Sequence, residues 1–93
     1  MTQRSSEPPT PLRELRFSRV RFREGYDVVE VDDFLRRAHH ALESGDGSVS
    51  AQDVREARFS PVRLREGYDM GQVDLELDRV AAALEPRERP ADA

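Results

Sequence analysis

Apolar residues at Val28, Val31, Leu35, Ala38 and Leu42 follow one another at spacings of three and four, and the same rhythm returns at Met70, Val73, Leu77, Val80 and Leu84. A 3-4-3-4 stripe predicts a helix that lays one face against a partner. Each stripe covers about two heptads, too few for a coiled coil that stands alone. The simplest arrangement packs the two long helices against each other, running parallel and related by a pseudo-two-fold axis.

Both stripes begin with the same start signal. Asp27 is a good N-cap, and Glu30 three residues later completes a capping box. Tyr26 before the cap predicts a hydrophobic staple onto Val31. Asp69, Gln72, Tyr68 and Val73 repeat the pattern. Before it, Val20-Arg21-Phe22-Arg23 alternates apolar and charged residues, which predicts an extended segment, and Pro61 argues against helix at the matching place. Gly25 and Gly67 are expected to supply a backbone angle that other residues resist. A short helix should open each unit. Thr10 caps the first, with Pro11 at its first position and Leu12 and Leu15 inward. Ser50 caps the second, with Asp53 in the first turn and Val54 and Ala57 inward.

These parallels are one internal repeat. The offset is 59 − 17 = 42 residues (Phe17 to Phe59), and 19 of 31 positions are identical between Arg13–Glu43 and Arg55–Glu85. The units run over residues 10–44 and 50–85, joined by a flexible linker at 45–49, with tails at 1–9 and 86–93 expected to be disordered. The fold predicted is all-α: a tandem repeat of short helix, extended Arg-rich loop and longer amphipathic helix, packed as an intramolecular pseudo-two-fold pair. Outside the stripes the units differ, with Phe34 against Glu76 and Asp33 against Leu75, so Phe34 and Leu75 are expected to mark asymmetric contacts or an outer interface.

Composition narrows the function. At 93 residues and 37% hydrophobic, the chain can cover only a thin core, and self-association is the expected source of extra stability. No Cys is present, so disulfides and thiolate metal sites are excluded. The net charge is −4, with 15 Arg and no Lys, which does not favour nucleic acid. No run is long and apolar enough for a membrane span, and residues 1–9 lack the apolar core of a signal peptide. A cytoplasmic protein is expected, with peripheral binding at the inner face of the plasma membrane as an option. Asp46-Gly47-Ser48-Val49-Ser50 fails the calcium-loop pattern, because the turn-glycine and bidentate-acid positions fall on Ala51 and Ala57. His39 and His40 are expected on the surface. Asp32 and Asp33 are expected to form ordinary helix ion pairs with Arg36 and Arg37. No catalytic constellation, cofactor or metal site is predicted, and the expectation is a protein that is not an enzyme.

The arginine clusters admit two readings. Residues 13–23 carry five Arg against Glu14, and residues 55–65 carry four against Glu56. Each cluster is either a patch for anionic lipid or a set of internal ion pairs, with Arg23 and Arg65 reaching helix acids such as Asp32 and Asp74.

Gly25-Tyr26-Asp27, Glu30-Val31-Asp32 and Phe34-Leu35 together resemble the N-terminal domain of DivIVA, the bacterial pole and septum scaffold. Val62 to Asp69 resembles the short DivIVA-type motif of actinobacterial proteins. The resemblance implies a short helix, a crossing loop and a long helix in a parallel pair. It implies loop tips that bind anionic, negatively curved membrane, here Arg21, Phe22 and Arg23, and Arg63, Leu64 and Arg65. It also implies protein partners, either DivIVA-family proteins or further copies of itself, with no nucleic acid and no small-molecule substrate. Two departures stand out. Glu24 and Glu66 separate Arg from Gly, which weakens membrane insertion, and no long C-terminal coiled coil follows, which implies a cap or link rather than a network. The resulting expectation is a non-catalytic adaptor of cell division or polar growth, with a soluble protein-interaction module as the alternative.

Overall fold

The computed structural model describes residues 9–11 and 14–88. Its elements in chain order are β1 (Arg19–Val20), β2 (Gly25–Tyr26), α1 (Val28–Ser44), α2 (Ala51–Glu56), β3 (Pro61–Val62), β4 (Gly67–Tyr68) and α3 (Met70–Glu88). The all-α expectation is therefore wrong: the arginine-rich segments build a four-stranded antiparallel sheet in the order β1-β4-β2-β3.

The sheet interleaves the repeats. Arg19 faces Tyr68 and Val20 faces Gly67, while Pro61 faces Tyr26 and Val62 faces Gly25. These pairs exchange under the 42-residue offset, and Tyr26 opposite Tyr68 lies at the centre of symmetry. Extended backbone needs hydrogen-bond partners, and each repeat finds them in the other. The same exchange appears at the helix starts, where Asp27 N donates to Ser60 O and Asp69 N to Ser18 O, each at 2.9 Å. The alternation at residues 20–23 is only partly strand: Arg21–Arg23 bend away as a tip.

Gly25 and Gly67 act through space rather than through backbone angle. Among the described residues, positive φ occurs only at Gly45 and Gly47. A Cβ on Gly25 would lie 2.8 Å from both Tyr68 O and a Val20 methyl, and one on Gly67 would lie 2.6 Å from a Val62 methyl. Glycine here permits two central strands to touch.

The helix starts also depart from the predicted box. Asp27 and Asp69 cap as expected, accepting from Glu30 N and Gln72 N at 3.0 Å. Glu30 does not reach back to its own cap, whose N–H is already taken. Its carboxylate accepts from Ser60 N and Oγ at 2.7 and 2.9 Å, while Gln72 accepts from Ser18 N at 2.6 Å and donates its Nε2 to Ser18 Oγ at 3.1 Å. The opening helices differ as well. Ser50 and Asp53 form a reciprocal capping box on α2. In the first unit Glu14 N donates to Pro11 O at 2.9 Å. Thr10 turns its N–H and hydroxyl to Glu76 of the other repeat. The predicted inward Leu12 lies outside the described residues.

The core is the predicted stripe plus additions. Val31, Leu35 and Ala38 of α1 meet Val73, Leu77, Val80 and Leu84 of α3 in one buried cluster, with Val28 and Leu42 partly buried on it. Met70 is half-buried at the helix start. Val49, assigned to a flexible linker, is buried in the core beside Ala51 and Val54. The tail assigned to 86–93 begins too early, because α3 continues through Pro86 to Glu88. A proline this near a helix end forfeits one hydrogen bond without interrupting a long ladder. The remaining tail residues, 1–8 and 89–93, lie outside the described residues.

Candidate functional site

Each repeat projects one apolar tip. Phe22 is 88% exposed and Leu64 86%, an exposure that no core role explains. Each is flanked by two arginines, and the structure divides those arginines by role. Arg23 reaches Asp69 at 3.1 Å and Arg65 reaches Asp27 at 3.0 Å, so each tip is tied to the N-cap of the other repeat. These partners are not the Asp32 and Asp74 expected from sequence. Arg21 and Arg63 make no ion pair or hydrogen bond among the described residues.

The two acids beside the tips are unlike. Glu66 is held by Arg19 at 3.0 Å, a hydrogen bond that raises the already high pKa of the guanidinium. The position matching Arg19 is Pro61, so Glu24 has no equivalent partner. With Glu66 neutralised by Arg19, Arg63 stands uncompensated at the second tip, whereas Glu24 offsets Arg21 at the first, which carries the larger side chain.

Asp32 and Asp74 serve the tyrosines. Tyr68 Oη donates to Asp32 and Tyr26 Oη to Asp74, each at 2.8 Å. Partial burial, then the carboxylate acceptor, holds both phenols above their ordinary pKa. The same two tyrosines make ring contacts across the repeats. Phe17 meets Tyr68 edge-on at 5.1 Å, and Phe59 meets Tyr26 at 5.4 Å. Phe34 adds an asymmetric contact on Phe59 at 5.8 Å, whereas Leu75 stays largely exposed. Asp33, not Asp32, pairs with Arg36 and Arg37.

Beside each tyrosine opens a groove made from both repeats. The larger, about 480 Å³, is lined by Tyr26, Phe59, Leu77, Asp74 and Asp78 among others. The symmetry-related one, about 210 Å³, has Tyr68, Phe17, Leu35, Asp32 and, in place of Asp78, Arg36. Duplication has left two similar recesses of different size and charge.

Sequence reading missed one cluster. His39, expected on the surface, is 5% exposed, and Glu76 only 2%. Glu76 accepts from Thr10 N at 3.0 Å and Thr10 Oγ1 at 3.2 Å, with Arg79 at 3.5 Å and His39 Nε2 at 3.9 Å. The available signal was the heptad itself: both residues lie immediately beside the stripe, where a parallel partner passes close. His40 is exposed, as expected.

Among the described residues no group of three or more His, Cys, Asp or Glu could hold a metal ion, and no helix is long and apolar enough to cross a membrane. Comparison with family models, curated proteins and solved structures finds no match.

Proposed function

We propose that this chain is a non-catalytic adaptor of the DivIVA type that touches an anionic membrane surface, at the inner face of the plasma membrane, through its two loop tips and serves cell division or polar growth. The observation that carries this reading is the near-complete exposure of Phe22 and Leu64 beside Arg21 and Arg63, which have no ion-pair partner among the described residues. An apolar side chain inserted among headgroups gains hydrophobic free energy, and each nearby cation adds about 1 kcal/mol at an anionic surface. The ties from Arg23 and Arg65 to the N-caps support the reading by holding the tips in place, which lowers the ordering cost of binding.

A second reading, a soluble protein-interaction module without a membrane role, is favoured by the larger groove at Tyr26 and Phe59, which offers aromatic walls and a charged rim.

Co-sedimentation with small anionic vesicles, beside neutral ones, separates the two. The adaptor reading expects salt-sensitive binding to anionic vesicles only, abolished by Phe22→Ser with Leu64→Ser at unchanged helix content. Absence of binding at low salt removes the membrane claim and leaves the groove.

A further inference from the structure

The seam between α1 and α3 holds one polar exception, at a position that governs partner choice. With Val28 and Met70 at heptad position a, Glu76 falls at g and His39 at the following e. In a parallel pair, g of one helix meets the next e of its partner, and these flanking contacts set which helices associate. The 3.9 Å approach of His39 Nε2 to Glu76 Oε2 is that contact. Under the 42-residue offset its counterpart is Phe34 at g with Ala81 at e. At this layer one side of the seam is therefore ionisable and the other apolar.

The consequence follows from exchanging partners. Two first repeats, paired with each other, would set Phe34 against His39 on both flanks. Two second repeats would set Glu76 against Ala81 on both flanks, burying two carboxylates opposite methyl groups. There Glu76 would keep Arg79 of its own helix, at 3.5 Å, but lose the imidazole and Thr10, and a buried carboxylate stripped of partners is destabilised. Only the mixed pair gives Glu76 an imidazole, which presents an N–H or a full positive charge, and gives Phe34 a small neighbour. Among the described residues His39 Nε2 makes no hydrogen bond, so the 3.9 Å approach to Glu76 is its one polar contact given by the structure. Thr10 strengthens the same choice, because it belongs to the first repeat and closes both carboxylate oxygens of a residue in the second. The residue matching Thr10 is Gln52, on a different local structure.

We infer that Glu76, with His39 and Thr10, selects pairing of the first repeat with the second over pairing of either repeat with its own kind, so that this chain completes its two-repeat unit without a second copy. The short connection through Gly45–Ser50 then makes that pairing intramolecular, by raising the effective concentration of one repeat at the other. This inference is independent of membrane binding.

Two double variants of the full chain test it, each read by sedimentation across a wide concentration range and by thermal unfolding. His39→Glu with Glu76→His keeps an acid opposite an imidazole across this flank of the mixed pair, while giving up the Thr10 and Arg79 contacts to the Glu76 carboxylate. His39→Ala with Ala81→His leaves composition and mass unchanged but moves the imidazole to the second repeat, where it complements another second repeat. The native chain is expected to sediment as a single 10.6 kDa species. The first variant is expected to stay a folded monomer, and the second to gain mass with concentration. The inference is overturned if the second variant stays monomeric, folded or not, if the first self-associates, or if the native chain dimerises.

Discussion

Tyr68 of the second repeat donates its hydroxyl to Asp32 of the first at 2.8 Å, and Tyr26 returns the bond to Asp74 at the same length. The two bonds cross the pseudo-two-fold axis on either side of the Tyr26–Tyr68 strand pair. They join the sheet to both long helices, each tying one repeat to the other.

The phenols therefore report on folding through pH. Burial and the carboxylate acceptors raise both tyrosine pKa values. A group whose folded pKa is raised contributes stability that is full below its unfolded value, about 10, and is lost as pH rises through the folded value. Unfolding temperature should accordingly be flat near neutrality and fall above about pH 10. Tyr26→Phe with Tyr68→Phe should flatten that alkaline slope, while costing stability near neutrality through the unmade bonds. An alkaline slope of unchanged steepness in the double variant would contradict the assignment.

The tip arginines should separate into two classes. Arg23→Ala with Arg65→Ala removes the ties to Asp69 and Asp27, and should lower the unfolding temperature. The pairs are well exposed on the arginine side, so each is worth at most about 1 kcal/mol. Arg21→Ala with Arg63→Ala should leave stability unchanged and weaken binding to anionic vesicles. Equal thermal effects from the two double variants would refute the division.

Gly25→Ala and Gly67→Ala should each destabilise the fold by about 1–3 kcal/mol, the range for forcing extra atoms into a packed site. The added methyl at Gly25 meets Tyr68 carbonyl oxygen at 2.8 Å, which cannot move without breaking the strand pair. Gly71→Ala is the control: it sits in α3 with its nearest contact at 3.4 Å, and alanine should stabilise there by up to about 1 kcal/mol. Chemical denaturation of the three variants checks the order.

Gly45 caps α1 in the left-handed region at φ 69°, with open space where a side chain would stand. Gly45→Ala should cost about 1 kcal/mol from backbone strain alone, and Gly45→Asn less, since asparagine tolerates that conformation. Thermal melts of the pair separate strain from crowding.

What was legible in sequence was whatever a short window encodes. The stripes from Val28 to Leu42 and from Met70 to Leu84 marked the paired helices, because a helix face shows its period in one stretch of chain. Asp27, Asp69 and Ser50 marked their helix starts, because a cap bonds a backbone N–H three residues on. The repeat itself announced two equivalent units. Tertiary structure alone decided the partners. The strands are two residues long, too short to carry a pattern of their own, and each is completed by the other repeat. Arg23, Glu30 and Tyr26 have local candidates for their contacts, yet all three reach across the axis. His39 and Glu76 read as surface residues by type, and are buried because a second helix passes over them. Contacts within one helical turn are set by spacing along the chain, but contacts across an axis depend on how two units dock, which no single window contains.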